Sequence, residues 1–326
     1  MCYNRLMIFG FGRKTNKAPK IREQKPAVKP PEEKVIECVP NFSVGHDRNV
    51  IHKIVDSIRR SSVDVVDQSY DEDHNRLVVT FIGKPENVLN AAYSSIETTS
   101  KLVDINKQVG VHPFIGVVDV VPFIPLKGAK MGDCRDLSKT LGKMVADKLK
   151  IPVYLYGEAA RNEKFKHLYN IRHGGIDHLR SAILTKDFKP DFGEQKVHPT
   201  AGAVAIGARD FLIAFNVNID TDDLAAAKDI AKRIREKDGG LPGIRALGVP
   251  LQSKGIVQIT INITHYKKTG LKALLDRVKR ECEAKKILIL NTELVGLVPK
   301  DATFPGMKES LMLDDFDEGK ILETYL

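Results

Sequence analysis

The apolar residues in the first part of the chain follow two alternating periods, one typical of strands and one typical of helices. In chain order the pattern predicts a strand at 35–39, a helix with its buried face at Val50, Ile51, Ile54, Val55 and Ile58, strands at 63–67 and 77–82, a helix opening at 83–85, and a strand at 117–121. Residues 40–43 are predicted to form a turn, and a polar loop is predicted between the second and third strands. The order β-α-β-β-α-β is that of a ferredoxin-like domain.

The same order of elements returns from residue 211. The predicted elements are a strand at 211–219, a helix over 224–234, strands at 245–249 and 256–263, a helix over 271–282, and a last strand at either 287–290 or 293–298. Between the two copies, the sequence predicts a helix at 133–148, a strand at 152–156 and further helices towards residue 184. We assign this insertion to the first domain.

Two copies of one pattern predict an α/β (α+β) chain made of two ferredoxin-like βαββαβ domains, packed side by side with a groove between them. The predicted divisions are a flexible basic tail at 1–34, an N-terminal subdomain at 35–208 and a C-terminal subdomain at 209–326. Because ligand sites commonly lie between domains, the groove is where we expect the chemistry.

Most of the net charge of +9 lies near the N-terminus. Residues 1–34 hold nine basic and three acidic side chains, four prolines and no apolar periodicity, which is typical of an extended tail. This tail is either a weak tether to anionic surfaces or a solvated extension. Since charge alone gives no specificity, we expect no specific nucleic-acid partner.

The remaining composition is that of a folded cytoplasmic protein, with 42% apolar and 29% charged residues. Four scattered cysteines, without a paired C-x-x-C spacing, predict reduced thiols: Cys2, Cys38, Cys134 and Cys282. No apolar run approaches the length of a membrane span, and the patch at 6–11 is too short for a secretory signal.

The loop at 110–116 places a histidine between glycines and immediately before a proline. Pro113 biases His112 away from helical backbone angles, and Gly110 and Gly116 allow a ligand to approach the backbone closely. An imidazole can accept and donate a proton near neutral pH. His112 is therefore a candidate general acid and base, although a structural or surface histidine is the alternative.

Two other segments carry candidate chemistry. Residues 191–202 are rich in turn formers and hydrogen-bonding groups, so they form either a binding loop or an interdomain connector. Asp67, Asp71, Asp73 and His74 could bind a metal or form a solvated turn. Their spacing matches no metal motif, so we expect no metal.

Several short segments, spread from about residue 35 almost to the C-terminus, look like the signatures of one family. They are Cys38-Val39-Pro40-Asn41-Phe42-Ser43, Asn75-Arg76, Phe81-Ile82-Gly83, His112-Pro113, Pro122-Phe123-Ile124-Pro125, Pro152 to Arg161, Asp191-Phe192-Gly193, Gly207-Ala208-Arg209, Phe211 to Asn216 and Leu294 to Pro299. Together these segments resemble the glutamate formiminotransferase (formimidoyltransferase) family, the transferase domain of formiminotransferase-cyclodeaminase.

The resemblance implies an enzyme that transfers the formimino group from N-formimino-L-glutamate to N5 of tetrahydrofolate, its co-substrate, in an electropositive groove. It places the general acid and base on His112 and suggests a homodimer. The implied folate-binding residues are Gly193, Glu194, Gln195, Lys196, Val197, His198, Pro199, Thr200, Ala201 and Gly202. Two alternatives are folate-dependent formyl transfer between 5-formyltetrahydrofolate and glutamate, and folate binding without catalysis.

Four positions depart from the family pattern near the implied site. Val111 and Phe114 stand where the family has a glutamate and an arginine around the histidine. Ser69 replaces an aspartate, and Ala201 replaces a tryptophan. Loss of the arginine removes a bidentate anion ligand, so the substrate or the rate is expected to differ.

Overall fold

The computed structural model describes residue 1, residues 33–110 and residues 113–326. They form eight α-helices and eleven strands, the strands being divided between a seven-stranded and a four-stranded sheet. The strands are β1 Ile36–Cys38, β2 Asn41–Phe42, β3 Asp64–Asp71, β4 Arg76–Gly83, β5 Val118–Pro125, β6 Val153–Gly157, β7 Val204–Ala208, β8 Ile213–Ile219, β9 Ile244–Leu251, β10 Ile256–Ile263 and β11 Ile289–Val295. The helices are α1 Arg48–Arg59, α2 Pro85–Leu102, α3 Met131–Leu149, α4 Leu168–Arg172, α5 Gly175–Ala182, α6 Leu224–Ile234, α7 Leu271–Ala284 and α8 Met307–Leu311.

Each sheet contains the ferredoxin-like strand order that the repeated pattern predicts. In the first sheet, β1 and β2 together form the strand between β4 and β5, and β3 pairs with β4 at one edge. In the second sheet the order is β11-β8-β10-β9, with all neighbours antiparallel. The prediction of two ferredoxin-like domains is therefore confirmed.

The insertion extends the first sheet. Strand β7 pairs in parallel with β5 and with β6, and α3 packs against this part of the sheet. The insertion, which the sequence assigns to the first domain, thus contributes β6 and β7 to the first sheet. The division of the chain at residue 208 stays a prediction.

Each sheet buries one face against its own helices. On β4, Leu77, Val79 and Phe81 enter the first core; on β10, Val257, Ile259, Ile261 and Ile263 enter the second. Because side chains alternate along a strand, the residues between them point to the opposite face. These opposite faces carry the polar residues that matter below.

Some local predictions were wrong. Asn41–Phe42 is a short strand rather than a turn, because it pairs with both β4 and β5. Strand β3 continues to Asp71, through residues expected in a polar loop, because β4 supplies partners as far as Arg76. Strand β7 has no counterpart in the sequence-based elements. The last strand, Ile289–Val295, spans the two alternatives considered for it.

The second sheet contacts the first through several side chains. Asp73 Oδ1 and Oδ2 accept hydrogen bonds from the backbone N–H and hydroxyl of Ser253, at 3.0 and 2.5 Å. Lys320 Nζ lies 2.9 Å from Asp67 Oδ1 on β3. A Cβ placed on Gly296 would lie 3.7 Å from Thr80 Oγ1 on β4. The face of β4 that carries Thr80 therefore points towards the second half of the chain.

The remaining expectations concern the cysteines, the N-terminal tail and membrane-spanning segments. Cys38, Cys134 and Cys282 are buried free thiols, as expected, while Cys2 and most of the predicted tail lie outside the described residues. Lys34 lies near the start of the described segment, and its Nζ is 2.6 Å from Asp133 Oδ1. Within the described part of the chain, no helix is both long and apolar enough to cross a membrane.

Candidate active site

Strands of both sheets and helix α4 carry buried polar atoms without hydrogen-bond partners. Among the described residues, five buried side-chain atoms form no hydrogen bond, and each belongs to a residue that lies outside the two apolar cores: Glu37 Oε2, Asp67 Oδ2, Thr80 Oγ1, Arg172 Nε and Gln258 Oε1. Buried polar atoms are nearly always hydrogen-bonded, so such a group of exceptions marks a functional region.

A buried charge cluster joins β4, β5 and α4. Asp119 is fully buried, and its Oδ2 accepts hydrogen bonds from Arg76 Nη2 at 3.1 Å and from Arg172 Nη2. Asn41 Oδ1 accepts a hydrogen bond from Arg76 Nε at 2.9 Å, whereas Arg172 Nε has no partner. Because two guanidinium groups share one carboxylate, these three side chains carry a net positive charge. Arg172 Nε is the donor that stays without an acceptor in the described part of the chain.

Burial affects the titration of this cluster. Burial and, to a smaller extent, the neighbouring charge of Arg172 lower the pKa of Arg76, Asp119 opposes both effects, and the net result is a pKa of about 10. Arg76 stays protonated at neutral pH because even this lowered pKa lies well above 7. The cluster is thus a permanent cationic site suited to a carboxylate ligand.

Val111 and His112 lie outside the described residues, but the segments on both sides of them are fixed next to the charge cluster. Before them, Asn75 Nδ2 donates to the carbonyl of Val109 at 3.0 Å. After them, Ile115 N–H donates to Asp119 Oδ1 at 3.1 Å. The backbone of the implied catalytic loop is therefore held at both ends by residues of the β3–β4 turn and by the cluster carboxylate.

Glycine is required on both sides of this loop. A Cβ on Gly110 would lie 2.6 Å from the carbonyl oxygen of His74, and one on Gly116 would lie 2.0 Å from that of Ala203. Real Cβ atoms do not approach so closely, so larger residues would displace the backbone. The bracketing glycines that made His112 a candidate thus serve close backbone packing.

The implied folate-binding stretch runs beside the segment that follows His112. Val117 N–H donates to the carbonyl of Ala201, and Ala203 N–H to that of Ile115, each at 2.9 Å. Further back in the stretch, residues 195–199 line a cavity of about 650 Å³. Its other lining residues are Asn106, Arg180, Ile183 and Leu184. That these residues bind folate stays a prediction.

His198 has a structural role in this stretch. Its Nδ1 accepts the backbone N–H of Ala201 at 3.0 Å, so the ring proton lies on Nε2. Burial lowers the pKa of His198, which keeps the ring neutral and able to accept this bond.

Three of the four positions that depart from the family pattern lie in the described part of the chain, and two of them pack in the first apolar core. Phe114 is partly buried against the first core, and Ala201 is fully within it. Ser69 lies on β3 opposite Val78 of β4. Neither Phe114, Ala201 nor Ser69 supplies a charge.

The acidic cluster after β3 behaves as a turn. Asp71 Oδ1 accepts a hydrogen bond from the backbone N–H of His74 at 2.7 Å, and Asp73 Oδ1 accepts one from the backbone N–H of Ser253. Within the described ranges, no group of three or more His, Cys, Asp or Glu residues is arranged to hold a metal ion. The hydrogen bonds favour the turn, one of the two alternatives that the sequence left open.

Glu37 is a second buried carboxylate, on the central strand of the first sheet. Ile36 and Cys38 enter the first core, so Glu37 points to the opposite face, where it is 1% exposed. Burial raises the pKa of Glu37 to about 7, against an opposing attraction from Arg209. Burial also raises the pKa of Tyr156, and Arg209 opposes that effect too.

Sequence reasoning assigned no role to Glu37, Asp119 or Arg172. A detectable signal existed for the two carboxylates, since each is a single charge within an apolar strand, in Val35-Ile36-Glu37-Cys38-Val39 and Val117-Val118-Asp119-Val120-Val121. Arg172 had no such signal, because only the tertiary fold brings α4 against β5.

Known proteins are similar in sequence to this chain over nearly its whole described length. Residues 35–209 match the N-terminal subdomain of the formiminotransferase domain, and residues 214–308 match the formiminotransferase domain. The glutamate formimidoyltransferase of Thermoplasma acidophilum is 42% identical, over 90% of this chain and 97% of that protein. That of Streptococcus pyogenes serotype M1 is 36% identical, over 90% and 99%. The formimidoyltransferase-cyclodeaminase of Rattus norvegicus is 37% identical, over 82% of this chain and 51% of that protein.

Proposed function

Because the chain is a transferase of the formiminotransferase family, we propose that it transfers the formimino group of N-formimino-L-glutamate to N5 of tetrahydrofolate. Glutamate and 5-formiminotetrahydrofolate are the products. The observation that carries this proposal for the site is the buried Arg76–Asp119–Arg172 cluster, which adjoins the loop containing His112.

The cationic cluster would bind and orient the amino-acid substrate. Formiminoglutamate carries two carboxylates, and Arg172 Nε is a buried donor without a partner. A carboxylate accepting this donor would gain a charge-assisted hydrogen bond. Asp119 holds Arg76 and Arg172 together and would fix the direction in which they donate. Such fixed positioning lowers the entropic cost of bringing two reactants together.

His112 would carry the proton between the two nitrogens. As the N5 lone pair attacks the carbon of the protonated formimino group, the electron pair of the carbon–nitrogen double bond moves onto the imino nitrogen, which becomes a neutral amine. His112 accepts the N5 proton. His112 then protonates the glutamate nitrogen of the tetrahedral adduct. The bond between that nitrogen and carbon breaks, the carbon–imino nitrogen double bond re-forms, and His112 returns to its neutral state. Residues 193–202 would hold the folate alongside.

Phe114 and Val111 are the observations that favour the second candidate, formyl transfer between 5-formyltetrahydrofolate and glutamate. They remove two charged groups beside His112, where the family pattern has a glutamate and an arginine. An altered charge beside the reacting carbon would change the preference between a basic formimino group and a neutral formyl group.

One assay separates the candidates. The purified protein is supplied with N-formiminoglutamate and tetrahydrofolate, and glutamate release is measured with each reactant omitted in turn. We expect release only when both are present. A parallel reaction with 5-formyltetrahydrofolate and glutamate measures formyl transfer. Formyl transfer without formimino transfer would favour the second candidate, and folate binding without either reaction would make the protein a non-catalytic binder.

A further inference from the structure

The second sheet carries a hydrogen-bonded group of amides and one carboxylate on the face away from its helices. Asn218 Nδ2 donates to Asn291 Oδ1 at 2.7 Å and to Glu293 Oε1 at 2.9 Å. Gln258 Nε2 donates to Asn218 Oδ1 at 2.9 Å and to Glu293 Oε2 at 3.2 Å. We call Asn218, Gln258, Asn291 and Glu293 the amide cluster.

The amide cluster is buried although it lies outside the second core. Gln258 is 1% exposed, and its neighbours Val257 and Ile259 both enter the core under α6 and α7. The side chain of Gln258 therefore points to the face opposite the helices. This is the side on which the hairpin after β9 contacts Asp73 of the first half through Ser253.

The orientation of the Gln258 amide is fixed by its partners. Both hydrogens of Nε2 are donated to acceptors, one of them a carboxylate oxygen. Turning the amide round would place its oxygen against these two acceptors, which is unfavourable. Gln258 Oε1 is thus the amide atom left over, and it is buried without a hydrogen-bond donor among the described residues. It needs an N–H or O–H donor from a ligand.

The amide cluster is complementary to a ligand edge that carries adjacent N–H donors. Its acceptors are the Gln258 amide oxygen, which has no donor, and the Glu293 carboxylate, which is 34% exposed and lies 3.7 Å from Lys254 Nζ. The carboxylates of glutamate are themselves acceptors and offer no donor to Gln258 Oε1, whereas Arg76 and Arg172 suit them. The 2-amino group and N3–H of a pterin form a guanidine-like edge of the required kind.

We propose that Gln258, supported by Glu293, recognises the 2-amino and N3 edge of the pterin ring of tetrahydrofolate. This inference rests on the proposed function and adds a specificity-determining residue to it. The 2-amino and N3 edge lies across the bicyclic ring from N5. A ring held by this edge on the second sheet directs N5 away from that sheet, towards the half of the chain that carries His112.

The test compares two ligands on two proteins. Binding of 5-formyltetrahydrofolate and of its 2-desamino analogue is measured by calorimetry for the wild type and for Gln258→Met. In the wild type, loss of the 2-amino group should weaken binding about tenfold, since one recognised donor is removed. In Gln258→Met the analogue and the parent should bind within about twofold of each other. Gln252→Met makes the same chemical change at an exposed hairpin position and should keep the tenfold difference.

Each result of this comparison either supports or overturns one part of the proposal. An equal penalty in the wild type and Gln258→Met would overturn the role of Gln258, and absence of a penalty in the wild type would overturn recognition of the 2-amino group altogether. If Gln258→Met does not fold, Gln258→Asn withdraws the amide by one methylene and is subject to the same comparison. A wild-type protein that binds no reduced folate would defeat the proposed function itself. Unchanged KM for N-formiminoglutamate in Gln258→Met is also expected, and a large rise would indicate that the edge bound is the formimino group instead.

Discussion

Arg172 on α4 donates a hydrogen bond to Asp119 on β5, and the two side chains are 14% and 0% exposed. The same Asp119 oxygen accepts from Arg76, so one carboxylate holds two guanidinium groups together. This relationship ties the first sheet, the insertion and the loop that carries His112 into one unit. It also determines what the loss of each partner should do.

Asp119→Asn should strongly destabilise the fold. Removal of the carboxylate charge leaves Arg76 and Arg172 buried next to each other without compensation. Breaking a buried ion pair on one side costs about 3–5 kcal/mol in comparable cases. Chemical denaturation measures the free energy of unfolding. Asp177→Asn, which removes a carboxylate from the exposed pair with Arg180, is the matched control and should change it little. Equal effects of the two variants would show that the buried cluster does not hold this region together.

Arg172→Met should affect substrate binding more than folding. Asp119 keeps its bonds to Arg76 and Ile115, so the cluster retains a compensating partner. Loss of the unpartnered donor should raise KM for N-formiminoglutamate by about tenfold to a hundredfold, as expected for a charge-assisted hydrogen bond. Steady-state kinetics measures KM and kcat, and calorimetry measures the dissociation constant of 5-formyltetrahydrofolate. If KM for formiminoglutamate is unchanged, Arg172 does not bind that substrate.

Glu37→Gln should change how stability depends on pH. Burial raises the pKa of Glu37 from 4.5 to about 7, so the folded protein holds this proton more tightly than the unfolded chain. The stabilising contribution of Glu37 is therefore fully present below the unfolded pKa and is lost as the pH rises through about 7. Glutamine stays neutral, so the stability of Glu37→Gln relative to the wild type should increase by up to about 3 kcal/mol between about pH 4 and about pH 8.

The change with pH is the informative quantity, because replacing an oxygen by an amide nitrogen also adds a pH-independent cost. Denaturation of both proteins across this range measures it. Glu163→Gln, at an exposed position, should run parallel to the wild type. A constant difference between Glu37→Gln and the wild type would mean that Glu37 titrates as an ordinary carboxyl.

The repeated order of strands and helices could be predicted from sequence, because the apolar residues of each copy recur at the spacing typical of strands and helices. Strand β10, Ile256–Ile263, was predicted to the residue, since its alternation is uninterrupted. Strand β2, Asn41–Phe42, could not be predicted in the same way, because Pro40 interrupts the run and only partners on both sides make the segment a strand. Strand β7 follows a stretch without periodicity, and its place between β5 and β6 is set by non-local pairing.

The candidate site was only partly accessible to sequence reasoning. The glycine and proline pattern around His112 was visible, and so was the polar stretch that ends at Gly202. The cluster beside them depends on Arg172, which lies 53 positions after Asp119 and reaches it only in the fold. The burial of Gln258 could not be predicted either, because a polar residue on an alternating strand normally faces solvent, whereas Gln258 is 1% exposed.

The role of His112 as the proton carrier is the central claim, and turnover of His112→Ala tests it most directly. Glutamate release from N-formiminoglutamate and tetrahydrofolate should fall about a hundredfold to ten-thousandfold, the usual contribution of general acid-base catalysis, while the dissociation constant of 5-formyltetrahydrofolate changes little. His52→Ala removes an exposed histidine from α1 and should keep wild-type turnover. Wild-type turnover in His112→Ala would contradict the account, and an equal loss of folate affinity and rate would make His112 a binding residue instead.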